Sequence, residues 1–263
     1  MRTVLSHFYN EEYLLPWWLE HHKKCFDFGI LINYDSTDRS VEICKDICPN
    51  WKIVDSKNKW FDAWKVDSEI SRYEEQLSGW KICLNTTEFL YGNFSHLKND
   101  VSKNQYYVGS YVFADMFKEE EEPTYSKPLH EQRVYGYYDE RDSEKIAEMI
   151  RPRRSIHNFN IDYPPQGGRH FSEKSSFDDL VIFYYGFAIL NKDGIKRKIQ
   201  INSKIPEDQR SMRPSIYSHP NSVSEKTFIE KIEKFVKPKC KNISNKIKEI
   251  IKIHENNHNA FLQ

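Results

Sequence analysis

The chain has 263 residues, and its 39 Lys and Arg are matched by 39 Asp and Glu. That length supports one α/β domain with extensions or two small domains, and the balanced charge provides no field that would draw the protein to nucleic acid or to an anionic membrane. The five cysteines, Cys25, Cys44, Cys48, Cys83 and Cys240, contain no C-x-x-C pair, which argues against a disulfide framework or a cysteine zinc site and for a reduced, cytoplasmic setting.

Thr3 to Phe8 reads as a short apolar strand, followed by Asn10-Glu11-Glu12 as the cap and acidic first turn of a helix. Within that helix Leu14, Trp18 and His22 recur at i, i+4 and i+8 beside Leu15 and Leu19; Pro16 falls in the first turn, where it is tolerated. Gly29 to Tyr34 is the second strand. Asp35-Ser36-Thr37-Asp38 follows, then a helix with Val41, Cys44, Ile47 and Cys48 on one face. Trp51 to Val54 is the third strand, Val66, Ile70, Tyr73 and Leu77 mark a third helix, and Trp80 to Leu84 is the fourth strand. This alternation with short links is the pattern of a parallel sheet with crossovers. In such sheets ligands gather beyond the C-terminal strand ends, so the residues leaving each strand are the first candidates for chemistry.

After Gly92 the pattern changes. Tyr106 to Phe117 and Val181 to Leu190 read as strands, residues 118–176 as charged, Pro- and Gly-containing loops, and Glu119 to Glu122 as a solvated acidic tip. From Glu225 the chain is Lys-rich, with Phe228, Ile232 and Phe235 on one helical stripe; Pro238 interrupts it and Ile243, Ile247 and Ile250 resume it. Two amphipathic helices packed on the body are expected, with peripheral membrane contact as the alternative use of a basic amphipathic helix. No apolar run approaches the roughly 18–20 residues that cross a bilayer, and Met1 to Leu5 runs into polar Ser6-His7 without a signal-peptide pattern.

Three strand ends carry motifs in a telling order: Tyr9-Asn10-Glu11-Glu12, Asp35-Ser36-Thr37-Asp38, and Asn85-Thr86-Thr87-Glu88-Phe89-Leu90. The first resembles the N-E opening, the second the D-x-S-T-D element and the third the D-x-D-E-F-L element of the family 2 glycosyltransferases, over roughly residues 3–91. The resemblance implies an α/β fold of GT-A-like (Rossmann-like) type: a mostly parallel sheet flanked by helices, ending here in the C-terminal amphipathic helices. It further implies an inverting transferase that moves a sugar from a nucleoside diphosphate sugar, UDP-type favoured, to a carbohydrate or other hydroxyl acceptor. Residues 1–222 would form the transferase domain, with 1–100 as the nucleotide-sugar-binding half and 101–222 as the acceptor-side half, and residues 223–263 a helical extension.

By that resemblance Asp35 accepts from uracil N3–H or ribose hydroxyls, and Asn10 and Glu11 frame the same slot. Ser36 serves either as a ligand contact or in capping, and Asp38 as a helix cap. The family's paired aspartates hold Mn²⁺ or Mg²⁺ against the diphosphate, since hard cations prefer carboxylate oxygens. Here those two positions are Asn85 and Thr87, with Glu88 the one carboxylate beside them. Three outcomes stay open: Glu88 carries the ion with Asn85 as a neutral helper, cationic side chains replace it, or the scaffold is a non-catalytic module that binds sugar, nucleotide or protein.

Cations for the second outcome are at hand. Arg151, Arg153, Arg154 and His157 form one cluster, Arg169 and His170 follow Gly167-Gly168 in a loop able to close over the donor, and Lys196-Arg197-Lys198 makes a third. Arginine forks match phosphate oxygens and can stabilise a departing diphosphate. An inverting transferase also needs a base. Glu131, in His130-Glu131-Gln132-Arg133, is the first choice, with a salt bridge to Arg133 as its structural alternative; Asp115, between Val112-Phe113-Ala114 and Met116-Phe117, is the second. No H-E-x-x-H spacing occurs, and the adjacent His21 and His22 are not expected to face one ligand from a helix. The absence of G-x-G-x-x-G, of a P-loop and of G-x-S-x-G removes the dinucleotide, P-loop and commonest hydrolase readings. A nucleotidyltransferase would want a Gly- and Arg-rich loop after the first strand, and Phe8 to Glu12 contains neither residue type.

Overall fold

Strand and helix alternate through the first third of the chain as β1 (Arg2–Phe8), α1 (Leu15–His22), β2 (Phe28–Asn33), α2 (Ser40–Ile47), β3 (Lys52–Asp55), α3 (Ala63–Glu74) and β4 (Trp80–Cys83). The computed structural model describes residues 1–97, 102–116, 120–139, 154–161, 163, 178–206 and 225–259. These four strands pair in parallel in the order β3-β2-β1-β4, so the winding reverses between β1 and β4. Successive side chains of a strand face opposite sides. Val4 of β1 therefore joins the core beneath α1 and α2 with Trp18, Leu19 and Cys44, while Leu5 joins the core beneath α3 with Val66 and Ile70. The sheet is covered on both faces. Close approach fixes Gly29 in β2, because a Cβ there would come within 2.1 Å of the Trp51 indole.

The remainder comprises β5 (Glu88–Gly92), β6 (Gln105–Ala114), the single turn α4 (Leu129–Gln132), β7 (Tyr135–Tyr138), β8 (Arg154–His157), β9 (Leu180–Phe187), α5 (Lys192–Gln200), α6 (Glu225–Phe235), β10 (Lys241–Asn242) and α7 (Ser244–Asn259). Beyond β4 the pairing turns antiparallel. β8 opposes both β4 and β6, so β6 again runs the same way as β4. The ten-residue β6 spans two regions: Gln105–Val108 pairs with β8, and its later half lies between β7 and β9. β9 runs parallel to β6, and β5 opposes β9. The whole is a mixed α/β sheet, parallel through β1–β4 and mixed beyond, rather than mostly parallel.

Three local expectations are corrected. Residues 88–92 form a buried strand, β5, where the pattern suggested only a strand-end element. The stripe of α6 is Phe228, Ile232 and Val236, packed on Val112, Ala114, Tyr184 and Phe187; Phe235 is 42% exposed, because a spacing of four, not three, keeps the row on the apolar face here. Glu120 is not a solvated tip: its carboxylate accepts from Val134 N at 2.7 Å and Met116 N at 3.2 Å, and burial raises its pKa. Ile243, Ile247 and Ile250 sit in the same core as α1, so α7 covers that face. Among the described residues no helix is long and apolar enough to cross a membrane.

Candidate active site

The C-terminal ends of β1, β2 and β4 lie side by side at the edge where the winding reverses, and each carries one of the three motifs. Two residues there have left-handed backbone, Asn10 with φ 50° after β1 and Asp35 with φ 61° after β2. Asn and Asp are the non-glycine residues best able to adopt that region, and such outliers cluster where a loop is held for a purpose. The two loops are knitted together. Asn10 N donates to Ser36 Oγ (3.0 Å), Thr37 N donates to Asn10 Oδ1 (2.7 Å), and Ser36 N donates to Asn33 Oδ1 (2.9 Å). Asn10 and Ser36 thus hold the loops in shape. Asp38 accepts from Ser40 N and Glu12 N, which occupies both its oxygens with backbone at the start of α2. Asp35 is different. Its side chain is 91% exposed, with Lys204 Nζ 3.4 Å away.

Asp35 lines a cleft of about 590 Å³ over the ends of β2 and β3, together with Asn33, Asp55, Asn58, Trp60 and Lys204. Asn33 Nδ2 donates to Asp55 Oδ1 at 2.9 Å, and the Lys204 ammonium lies 4.6 Å from the Tyr9 ring centroid. The half-exposed Trp60 indole offers a flat apolar surface beside these acceptors.

At the end of β4 the chain turns sharply and enters β5. Glu88 N donates to Asn85 O (2.9 Å), Asn85 N donates back to Glu88 Oε2 (2.7 Å), and the buried Trp18 indole N–H reaches the carbonyls of both residues. Arg154, at the start of β8, grips Glu88 with its fork, Nε to Oε2 at 2.7 Å and Nη2 to Oε1 at 2.8 Å. Each partner is about 1% exposed. A divalent ion of the family kind would need carboxylate oxygens here. Both Glu88 oxygens are engaged by Arg154 and Asn85 N, Thr87 and Asn85 are neutral, and Asn85 Oδ1, a buried acceptor without a hydrogen-bond partner among the described residues, supplies no charge. Residues 85, 87 and 88 do not fit Mn²⁺ or Mg²⁺.

The third element at this edge comes from far along the chain. After β9 the segment 188–206 crosses the strand ends, carrying α5. Arg197 pairs with Glu11 at 3.0 and 3.1 Å, Thr86 hydrogen-bonds the same carboxylate, and Gln200 donates to the Asn10 carbonyl. Burial holds the Glu11 pKa above the usual range, opposed by Arg197. Lys198 is buried in the same cluster, and desolvation, reinforced by Arg197 and opposed by Glu11 and Glu88, lowers its pKa to about 7. Three cations, Arg154, Arg197 and Lys198, thus stand with two carboxylates, Glu11 and Glu88, beneath the strand ends. The sequence pattern marks Lys196-Arg197-Lys198 as a basic cluster without placing it against Glu11.

The other candidates separate. Asp115, at the end of β6, is buried on the same edge and accepts from Leu190 N at 2.8 Å, tethering the segment that leads into α5. Glu131 is exposed on α4 and does not pair with Arg133, whose guanidinium instead donates to the carbonyls of Ala188, Glu121 and Gln132. Arg154 and His157 do not form one cluster: three residues apart on a strand, they stand about 10 Å apart on opposite faces, and His157 faces Glu74 at 3.4 Å. Arg151, Arg153, Arg169 and His170 lie outside the described residues.

No family model matches the chain, and no curated protein sequence matches it. Among solved structures, a crystal structure of S. aureus TarS 1–349 aligns with 12% identity and a TM-score of 0.39, covering 89% of this chain and 72% of that one. A longer S. aureus TarS structure aligns with 10% identity and a TM-score of 0.39, covering 89% of this chain and 44% of TarS. TarS 1–349 in complex with UDP gives 11% identity and a TM-score of 0.38 over 88% of this chain and 72% of that one. At these identities and TM-scores the likeness is one of outline.

Proposed function

We propose that the chain is a GT-A-like glycosyltransferase that moves a sugar from a nucleoside diphosphate sugar, with UDP the favoured nucleotide, to a hydroxyl acceptor, and that buried cations do the work a divalent ion does in the family pattern. One observation carries this reading. The strand-end motifs meet at the winding reversal, where Arg154, Arg197 and Lys198 are buried with Glu11 and Glu88, and the segment after α5 runs on to Lys204 in the lining of a cleft whose exposed carboxylate, Asp35, is held in left-handed backbone.

In this reading the base lies against Trp60 with its N–H groups toward Asp35, and the diphosphate extends to Arg197 and Lys198. Preorganised cations stabilise the charge that develops on the leaving diphosphate. Asp115 and Glu131 are the two carboxylates proposed as base; Asp115 has the better position, on the strand-end edge. A non-catalytic binding module is the second reading, and one feature favours it: Glu11 and Glu88 already neutralise two of the three cations.

Hydrolysis of a panel of UDP-hexoses in EDTA separates the two. The transferase reading expects slow release of UDP in chelator. It also expects a loss of tenfold or more in Asp35→Gly, whose glycine suits the φ of 61° and leaves the melting temperature unchanged or slightly raised. No release from any donor, with or without Mn²⁺, favours the binding module.

A further inference from the structure

Away from the strand-end cleft, two side chains from the end of α1 meet a third from the far end of the chain beneath β5. His21 lies in the last turn of α1, Cys25 follows that helix, and His254 projects from α7. One ligand atom from each lies within 4.8 Å of the others. Cys25 Sγ is 3.7 Å from His254 Nε2, and the two imidazoles stack with centroids 5.3 Å apart. His21 Nε2 is 2.7 Å from Leu90 O, and His254 Nδ1 meets the Gly92 backbone, 3.3 Å from its N–H and 3.4 Å from its C=O. An imidazole that gives one N–H to a carbonyl keeps its other lone pair for a metal and is fixed in tautomer and orientation.

We propose that His21, Cys25 and His254 form a zinc site that staples α7 to α1 and β5. One thiolate and two imidazoles are the borderline-soft donor set Zn²⁺ takes, with water in the fourth tetrahedral position. The ordinary bond lengths, about 2.0–2.3 Å, put tetrahedral ligand atoms roughly 3.3–3.6 Å apart; the side chains close to that spacing by rotating inward by about 1 Å. Because the thiolate is the ligand form, Zn²⁺ uptake releases the Cys25 thiol proton to solvent. His22 is not a ligand, because its Nε2 accepts from Leu90 N at 3.2 Å. His21 and His22 both reach the Leu90 backbone, His21 at its C=O and His22 at its N–H, because the edge of β5 presents both groups to the helix end.

The test uses the 263-residue chain without a polyhistidine tag, stripped with chelator and titrated with Co²⁺ and then Zn²⁺. The proposal expects a near-ultraviolet thiolate-to-cobalt band that saturates at stoichiometric Co²⁺ and is displaced by Zn²⁺, and a melting temperature raised by Zn²⁺. Cys25→Ser loses the band, His254→Gln weakens Co²⁺ binding at least tenfold, and Cys44→Ser, a buried thiol in α2, keeps it. No band in the native chain, or a band that survives Cys25→Ser, overturns the proposal. The native-chain titration does not depend on any variant folding.

Discussion

Glu88 and Arg154 are each about 1% exposed, and neither can be buried alone without an uncompensated charge. Their bidentate pair, together with Asn85 N on Glu88, closes the turn that joins β4 to β5. Glu88→Gln is expected to destabilise the fold by about 3–5 kcal/mol in urea unfolding, since it strands the guanidinium. Glu88→Met with Arg154→Met together is expected to cost much less, because both charges leave. Equal and additive losses would show that the pair is not coupled. The motif around Glu88 was legible in sequence, but its partner was not: no spacing rule links residue 88 to residue 154, and only the antiparallel return of β8 beside β4 brings them together. Asp35 was legible in type and position because it directly follows an apolar strand, whereas the left-handed backbone that exposes it is a property of the folded loop.

At the level of elements, α5 decides the character of the site. It crosses the strand ends, is held by Asn191 as its cap, and turns Arg197 and Lys198 inward. Its three consecutive basic residues read first as a solvated surface and second as a phosphate clamp, because periodicity says which residues share a face and not what that face meets. Lys198 has a pKa lowered to about 7, below its unfolded value. The unfolded chain therefore binds more protons between about pH 7 and the ordinary lysine range, so this group makes stability rise with pH across that window. A bound diphosphate reverses the shift by favouring the ammonium. At about pH 8, UDP binding should take up a proton, read as a calorimetric enthalpy that changes with the ionisation enthalpy of the buffer. Lys198→Arg should remove that dependence. A buffer-independent enthalpy in the native chain would place Lys198 away from the phosphates. The strands β1–β4 were legible because each pairs with a helix at short range; β5 was not, since Phe89-Leu90-Tyr91 is too short a run to show a period and its partner β9 lies far along the chain.

Across the whole molecule, a parallel half presents the cleft and a mixed half supplies the cations proposed to stand in for a divalent ion: Arg154 from β8, and Arg197 and Lys198 from the helix after β9. The two halves are continuous through β4, β8 and β6, so the cations stand on the same framework as Asp35. Preorganisation of this kind costs nothing at the moment of reaction, and it predicts nucleotide binding without a divalent ion. The most direct measurement is a thermal-shift series with UDP, GDP, CDP and TDP, each in EDTA and in Mn²⁺. A ligand that binds only the folded state stabilises it by about 2.7 kcal/mol at a hundred times its Kd. With buried cations in place of an ion, UDP is expected to raise the melting temperature in EDTA and Mn²⁺ to add nothing; a rise that needs Mn²⁺, or no rise with any nucleotide, would contradict that role for Arg197 and Lys198.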